Sequence, residues 1–207
     1  MSAINKKNGM TLLLVLLFGT AGFLITRSWI SKDRNLQRPA RELKSLAQIT
    51  LFDSKGREVP MSSFQGEPRI LYLGYSHCPD MCPMALSNLG RAMKQQPELQ
   101  NQVRAIFISV DPERDSPEQL ARYERQFAPL RLSALSGPEE QIQTLATDLG
   151  AKYEKAPATS NPGMGQYGVN HSLFFYLIDK DDRLVATLPS GISPEAILEA
   201  LHQHLNI

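Results

Sequence analysis

Two cysteines are the whole thiol content of this 207-residue chain, and they stand four residues apart at Cys78 and Cys82. On a helix that spacing brings two side chains onto one face with Cβ atoms about 5–6 Å apart. A disulfide needs Cα atoms roughly 4.4–6.8 Å apart, and two thiolates spread slightly wider can grip one metal ion. A helix N-terminus also lowers a thiol pKa, because its unpaired backbone N–H groups and its dipole favour the thiolate. Three uses are therefore open: a disulfide staple, a redox dithiol, or half of a metal site. A staple closing so short a loop removes little unfolded-state entropy, so the spacing favours chemistry. Two cysteines exclude a four-cysteine zinc site and a disulfide-dense scaffold.

Two sulfurs leave a soft, unfinished site. One nitrogen donor would suit it to copper in both oxidation states, since thiolate holds Cu(I) and imidazole suits Cu(II). Of the four histidines, His171 is the natural candidate, lying between a long polar loop and an apolar strand, although spacing alone leaves its role as a ligand open. His77 adjoins Cys78 and is expected to point away from a pocket shared by the cysteines. His202 and His204 close the chain and read as a solvated helix end.

The elements that must position these residues follow from local pattern. Residues 49–52 and 58–61, joined by the turn Asp53-Ser54-Lys55-Gly56, read as a hairpin. Residues 69–75 (RILYLGY) read as a strand leading into Cys78. Pro79 and Pro83 then stand where a first helical turn tolerates them, and Met84, Leu86, Leu89 and Met93 recur at helical spacing. Residues 103–110 form the clearest buried strand, ended by Asp111-Pro112. Ser116-Pro117-Glu118 and Ser193-Pro194-Glu195 are helix starts, and Pro138 opens another helix that Gly150 stops. Residues 151–170 are rich in Gly, Pro, Ser and Thr and read as a long, functional loop. Two strands, 172–178 and 184–188, follow across a polar turn. The order implies an α/β sandwich with a mixed central sheet, best matched by a thioredoxin-like architecture.

At 207 residues and 23.1 kDa the chain holds one ordinary domain and an appendage. Basic and acidic residues balance at 22 and 21, so no positive field would gather a polyanion and nucleic acid is not an expected partner. The appendage is N-terminal. Residues 8–26 carry no charge, residues 10–25 are almost wholly apolar, and Lys6 and Lys7 precede them. That is near the minimum length for a transmembrane helix, and it also reads as a secretory signal. Phe23, Leu24 and Ile25 continue the apolar run past the small residues of a possible cleavage site, and Trp29 sits where an interfacial anchor would, which favours an uncleaved anchor. Residues 1–30 are then a membrane anchor or signal-like segment, 31–47 a charged tether and 48–207 the folded domain. The basic residues after the segment oppose export, yet long domains translocate largely regardless of charge. The expectation is a single-pass protein of the inner (cytoplasmic) membrane with its soluble domain facing the periplasm.

Three blocks in order, residues 74–83 (GYSHCPDMCP), 109–118 (SVDPERDSPE) and 169–172 (VNHS), resemble the Sco/SenC copper chaperones, and the likeness spans most of residues 48–205. It implies a membrane-tethered thioredoxin-like domain that binds one copper, Cu(I) or Cu(II), through Cys78, Cys82 and His171. It also implies service to the binuclear CuA site of cytochrome c oxidase, with that enzyme's copper-binding subunit and a thiol reductant as partners. Asp111 matches the family's Asp-Pro block, which gives it a place behind the ligands that orients or charges the site; its plain alternative is a turn residue ending a strand. The likeness carries a second function as well, an exported thiol-disulfide oxidoreductase in which Cys78 attacks a partner disulfide and Cys82 resolves it. A peroxidase is disfavoured, because Tyr75 stands where a peroxidatic Cys78 would have a threonine three residues before it. Two departures stand out: Asn170 replaces the family's usual acid before the histidine, and Met164 places a soft thioether in the loop, where it reads as an ordinary loop residue.

Overall fold

Alternation along two parallel strands organises the molecule. In the computed structural model, which describes residues 40–128, 130–157, 167–205 and 207, β4 (Arg69–Gly74) and β5 (Arg104–Ser109) pair in parallel, Arg69 opposite Arg104 through Gly74 opposite Ser109. Ile70, Tyr72, Ala105 and Phe107 enter one core, while Leu71, Leu73, Ile106 and Ile108 enter the other. Both strands are thus buried on both faces, the reason they read as continuous apolar runs.

Around them stand β1 (Arg41–Glu42), β2 (Thr50–Asp53), β3 (Glu58–Pro60), β6 (Leu132–Ser136), β9 (Phe174–Ile178) and β10 (Arg183–Pro189), giving an eight-stranded sheet in the order β1-β10-β9-β4-β5-β6-β2-β3. β6 runs parallel to β5, and β9 antiparallel to β4, so the sheet is mixed. One core is closed by α1 (Met81–Gln95), α2 (Pro117–Gln126) and α4 (Pro194–Leu205), the other by α3 (Glu139–Leu149). This is the mixed thioredoxin-like sandwich expected from the element order. Ser116 Oγ accepts the Gln119 N–H at 3.3 Å to cap α2, and Gly150 ends α3 in the left-handed region at φ 73°, where a side chain would be strained.

Four local expectations change. Residues 153–157 and 167–170 are not loop: β7 (Tyr153–Pro157) and β8 (Tyr167–His171) form a separate antiparallel ladder with Tyr153 opposite His171. Main-chain pairing holds that ladder, which is why composition did not reveal it. β6 also went unread, its Leu-Ser-Ala-Leu-Ser being short and half polar. Met84 is 39% exposed, so the apolar stripe of α1 runs through Leu86, Leu89 and Met93 without it. The packed body begins before residue 48: β1 pairs with β10, Leu43 and Leu46 are buried, and Asp148 accepts from the Ser45 N–H and hydroxyl at 3.0 and 2.7 Å. The proposed membrane segment and Met164 lie outside the described residues; among those described, no helix is long and apolar enough to cross a membrane.

Candidate metal centre

The site sits at the C-terminal end of β4, where open α/β sheets place their ligands. The strand ends at Gly74, a turn closes with the Cys78 N–H donating to Tyr75 O at 3.2 Å, and α1 starts at Met81. Cys78 therefore precedes the helix and Cys82 lies in its first turn, where the Cys82 N–H faces the Cys78 sulfur at 3.4 Å. Gly74 is needed for space: a Cβ there would lie 2.8 Å from Cys82 Sγ and 3.0 Å from the Phe107 ring.

His171 arrives on the last residue of β8. Its Nε2 is 3.3 Å from Cys82 Sγ, and one donor atom each from Cys78, Cys82 and His171 all fall within 4.8 Å of one another. His171 Nδ1 lies 3.2 Å from Ser172 O. A carbonyl only accepts, so Nδ1 carries the proton and Nε2 turns its lone pair toward the sulfurs. Tyr72 and Tyr75 meet the imidazole edge-on, centroids 6.1 and 5.9 Å away. Two sulfurs and one bare imidazole nitrogen form a soft-to-borderline donor set, which suits copper.

The cysteines are unequal. Both are free thiols. A hydrogen bond from the Cys82 thiol, and then the neighbouring His171 ring and the backbone amides of Cys82 and Asp80, outweigh burial and lower the Cys78 pKa from 9.0 to about 4. Burial first, and then the charge on Cys78, push Cys82 well above its ordinary range. Cys78 is the half-buried thiolate, Cys82 the fully buried thiol. The folded pKa of Cys78 is depressed, so its thiolate persists above it and is lost only as pH falls through about 4. Iodoacetamide labelling of the reduced protein, located by peptide mass, should accordingly proceed at Cys78 at a nearly constant rate from about pH 9 down to about pH 6 and leave Cys82 unlabelled. A Cys78 rate falling tenfold per pH unit across that range would refute the assignment.

Two buried acids brace the cradle from the turn after β5. Asp111 accepts the Tyr167 hydroxyl at 2.7 Å and a bond from Arg114, whose Nη1 donates to Tyr167 O at 2.9 Å. The Arg114 guanidinium lies 3.7 Å from the Tyr167 ring centroid and 5.5 Å from that of Tyr75. Asp111 thus acts through Arg114 and Tyr167 on the strand that ends in His171, and does not meet the sulfurs itself. Asp115, which pattern reading did not single out, accepts from the Ser76 N–H at 2.9 Å, the hydroxyls of Ser76 and Ser109 at 2.6 Å each, and His77 Nδ1 at 3.3 Å. It fixes the turn that delivers Cys78. His77 is held there, outside the three-donor cluster, and His202 bonds to Gln96 at 2.7 Å on α4. An open cleft of about 480 Å³ flanks His171, and exposed Asn170 lines it with Lys152 and Glu154. Strand alternation turns residue 170 outward, so an amide in place of an acid there alters the cleft.

Residues 38–206 match the model of the family described as SCO1/SenC. The mouse (Mus musculus) protein named Protein SCO2 homolog, mitochondrial, is 32% identical over 204 residues, 94% of this chain and 78% of that relative. Bradyrhizobium japonicum ScoI, solved with copper bound, is 36% identical at a TM-score of 0.62, covering 76% of this chain and 97% of that structure. Arabidopsis thaliana ScoI, also solved with copper bound, is 30% identical at a TM-score of 0.66, covering 75% and 94%.

Proposed function

The chain belongs to the SCO1/SenC family, and from that premise we propose that it holds one copper ion on Cys78, Cys82 and His171 and passes it to the copper-binding subunit of a cytochrome c oxidase during assembly of the CuA site. The convergence of two sulfurs and a bare imidazole nitrogen within 4.8 Å carries this reading. Copper here is cargo. Thiolates retain Cu(I), the imidazole accommodates Cu(II), and half-buried Cys78 gives an incoming ligand a way to displace one donor. Residues 10–25 would tether the domain to the inner membrane on its periplasmic side, with nucleic acid playing no part. Anaerobic titration of the reduced protein with Cu(I), and separately with Cu(II), tests the proposal. One equivalent of each ion should bind, Cu(II) with a thiolate charge-transfer absorption; undiminished binding after loss of all three side chains would sink it.

The unequal thiols favour a second reading. Cys78 thiolate would attack a partner disulfide, forming a mixed S–S bond and expelling one partner thiolate. Cys82, giving up its proton, would then attack Cys78 Sγ and release the second, leaving the partner reduced and this pair oxidised. Both readings start from a reduced pair and so call for a thiol reductant as partner.

A further inference from the structure

Two buried hydroxyls, Tyr72 on β4 and Ser190 just after β10, take no part in the hydrogen bonds described so far. Tyr72 and Ser190 are 1% and 0% exposed, and neither hydroxyl has a hydrogen-bond partner among the described residues. Burying such a group without a partner costs free energy, so an acceptor within reach would be stabilising. The geometry says which. A Cβ at Gly74 would touch both the Tyr72 ring, at 3.2 Å, and Cys82 Sγ, at 2.8 Å, which sets that ring beside the sulfur. The strands also bring Ser190 near: its N–H donates to Leu173 O at 2.9 Å, two residues before Phe175, which pairs with Tyr72 on β4. A thiol is a weak acceptor; a thiolate accepts a much stronger, charge-assisted bond.

We propose that Ser190 and Tyr72 form a hydrogen-bond relay that engages Cys82 when its sulfur is a copper-bound thiolate, the Ser190 hydroxyl donating to the Tyr72 oxygen and the Tyr72 hydroxyl donating to the sulfur. The inference rests on the copper reading above and adds to it what sets the preference between the two oxidation states. A donor to a ligating sulfur withdraws electron density from it, and hydrogen bonding around such a sulfur tunes the copper potential. The relay therefore favours Cu(I) over Cu(II). It acts beside the Tyr75 backbone amide, which also faces Cys82.

Tyr72→Phe keeps the ring against His171 and removes only the hydroxyl. In the full-length reduced protein, competitive titrations with Cu(I) and Cu(II) against chelators should show one copper still bound. The ratio of Cu(II) to Cu(I) affinity should rise about tenfold, the size of one charge-assisted bond, and the thiolate-to-Cu(II) absorption band should move. Ser190→Ala, which leaves the Tyr72 ring and the three ligands in place, should shift the ratio the same way by about 2- to 3-fold, since it removes only a neutral bond one step away. Ratios within about twofold of the parent in Tyr72→Phe overturn the relay, as does an equal loss of affinity for both ions, which would mark a packing effect. A parent that binds no copper would instead sink the functional reading on which the relay stands.

Discussion

Replacing His171 by alanine is expected to lower Cu(II) affinity by more than about 100-fold, because even residues that merely support a metal ligand are worth about 10- to 100-fold. Cu(I) affinity should fall far less, about tenfold, since two soft sulfurs remain. The side chain should be dispensable to the fold, since its ring meets Tyr72 and Tyr75 edge-on and its Nδ1 bonds to Ser172 O. The Cys78 thiolate should also survive, since the leading contribution to it comes from Cys82, ahead of His171. The variant therefore separates the two functions of the pair. Under the copper reading it loses Cu(II) and fails to support oxidase assembly; under the oxidoreductase reading it loses Cu(II) yet still reduces a partner disulfide at close to the parental rate. Competitive Cu(II) and Cu(I) titration, followed by a disulfide reduction assay on the same preparation, reads both. Parental Cu(II) affinity in the variant would remove His171 from the site.

What pattern reading captured and missed divides along physical lines. β4, β5 and α1 are legible because burial on both faces, or on one helical stripe, leaves a run or a period in residue type. The Cys78–Cys82 pair is legible because its spacing is itself a geometric statement. β7 and β8 leave no such trace: their ladder is made by backbone groups that every sequence has, and Tyr153, Tyr167 and Val169 alternate too weakly among exposed neighbours. His171 could be nominated but not delivered, since 89 residues separate it from Cys82 and only the β8 register brings Nε2 to 3.3 Å. The acids are subtler. Asp111, Glu113, Asp115 and Glu118 look alike along the chain, and the turn after β5 chooses among them. The N–H groups of Arg114 and Asp115 both donate to Asp111 O, at 3.2 and 3.0 Å. Asp111 and Asp115 are consequently buried while Glu113 and Glu118 face solvent.

Asp115→Ala is expected to have the largest effect on stability, about 3–5 kcal/mol, because it strands several donors in a buried place at once. The carboxylate, with no exposed side-chain surface, is the shared acceptor for the Ser76 amide, the Ser76 and Ser109 hydroxyls and His77. Gln119 cannot compensate, because its side-chain amide donates to Ser76 Oγ at 3.0 Å, whereas the loss is of the acceptor for both the Ser76 hydroxyl and its N–H. The consequence should reach the sulfurs, since Ser76 is two residues before Cys78, in the turn that the Cys78 N–H to Tyr75 O bond closes. Asp115→Asn, which keeps the shape and one acceptor oxygen, should cost less, about 2 kcal/mol. Ser109→Ala, which removes one donor and the acceptor of the buried Asp111 N–H but strands none of the donors from the cysteine turn, should cost about 1–2 kcal/mol and leave copper affinity within a few-fold of the parent. Urea denaturation of the three metal-free variants gives the order, and Cu(I) competition gives the coupling. Asp115→Ala should lose about tenfold or more in affinity, as supporting residues of metal ligands do. If affinity holds while stability drops, Asp115 supports the fold alone, and the Cys78 turn is fixed by Tyr75 O and the start of α1 without it.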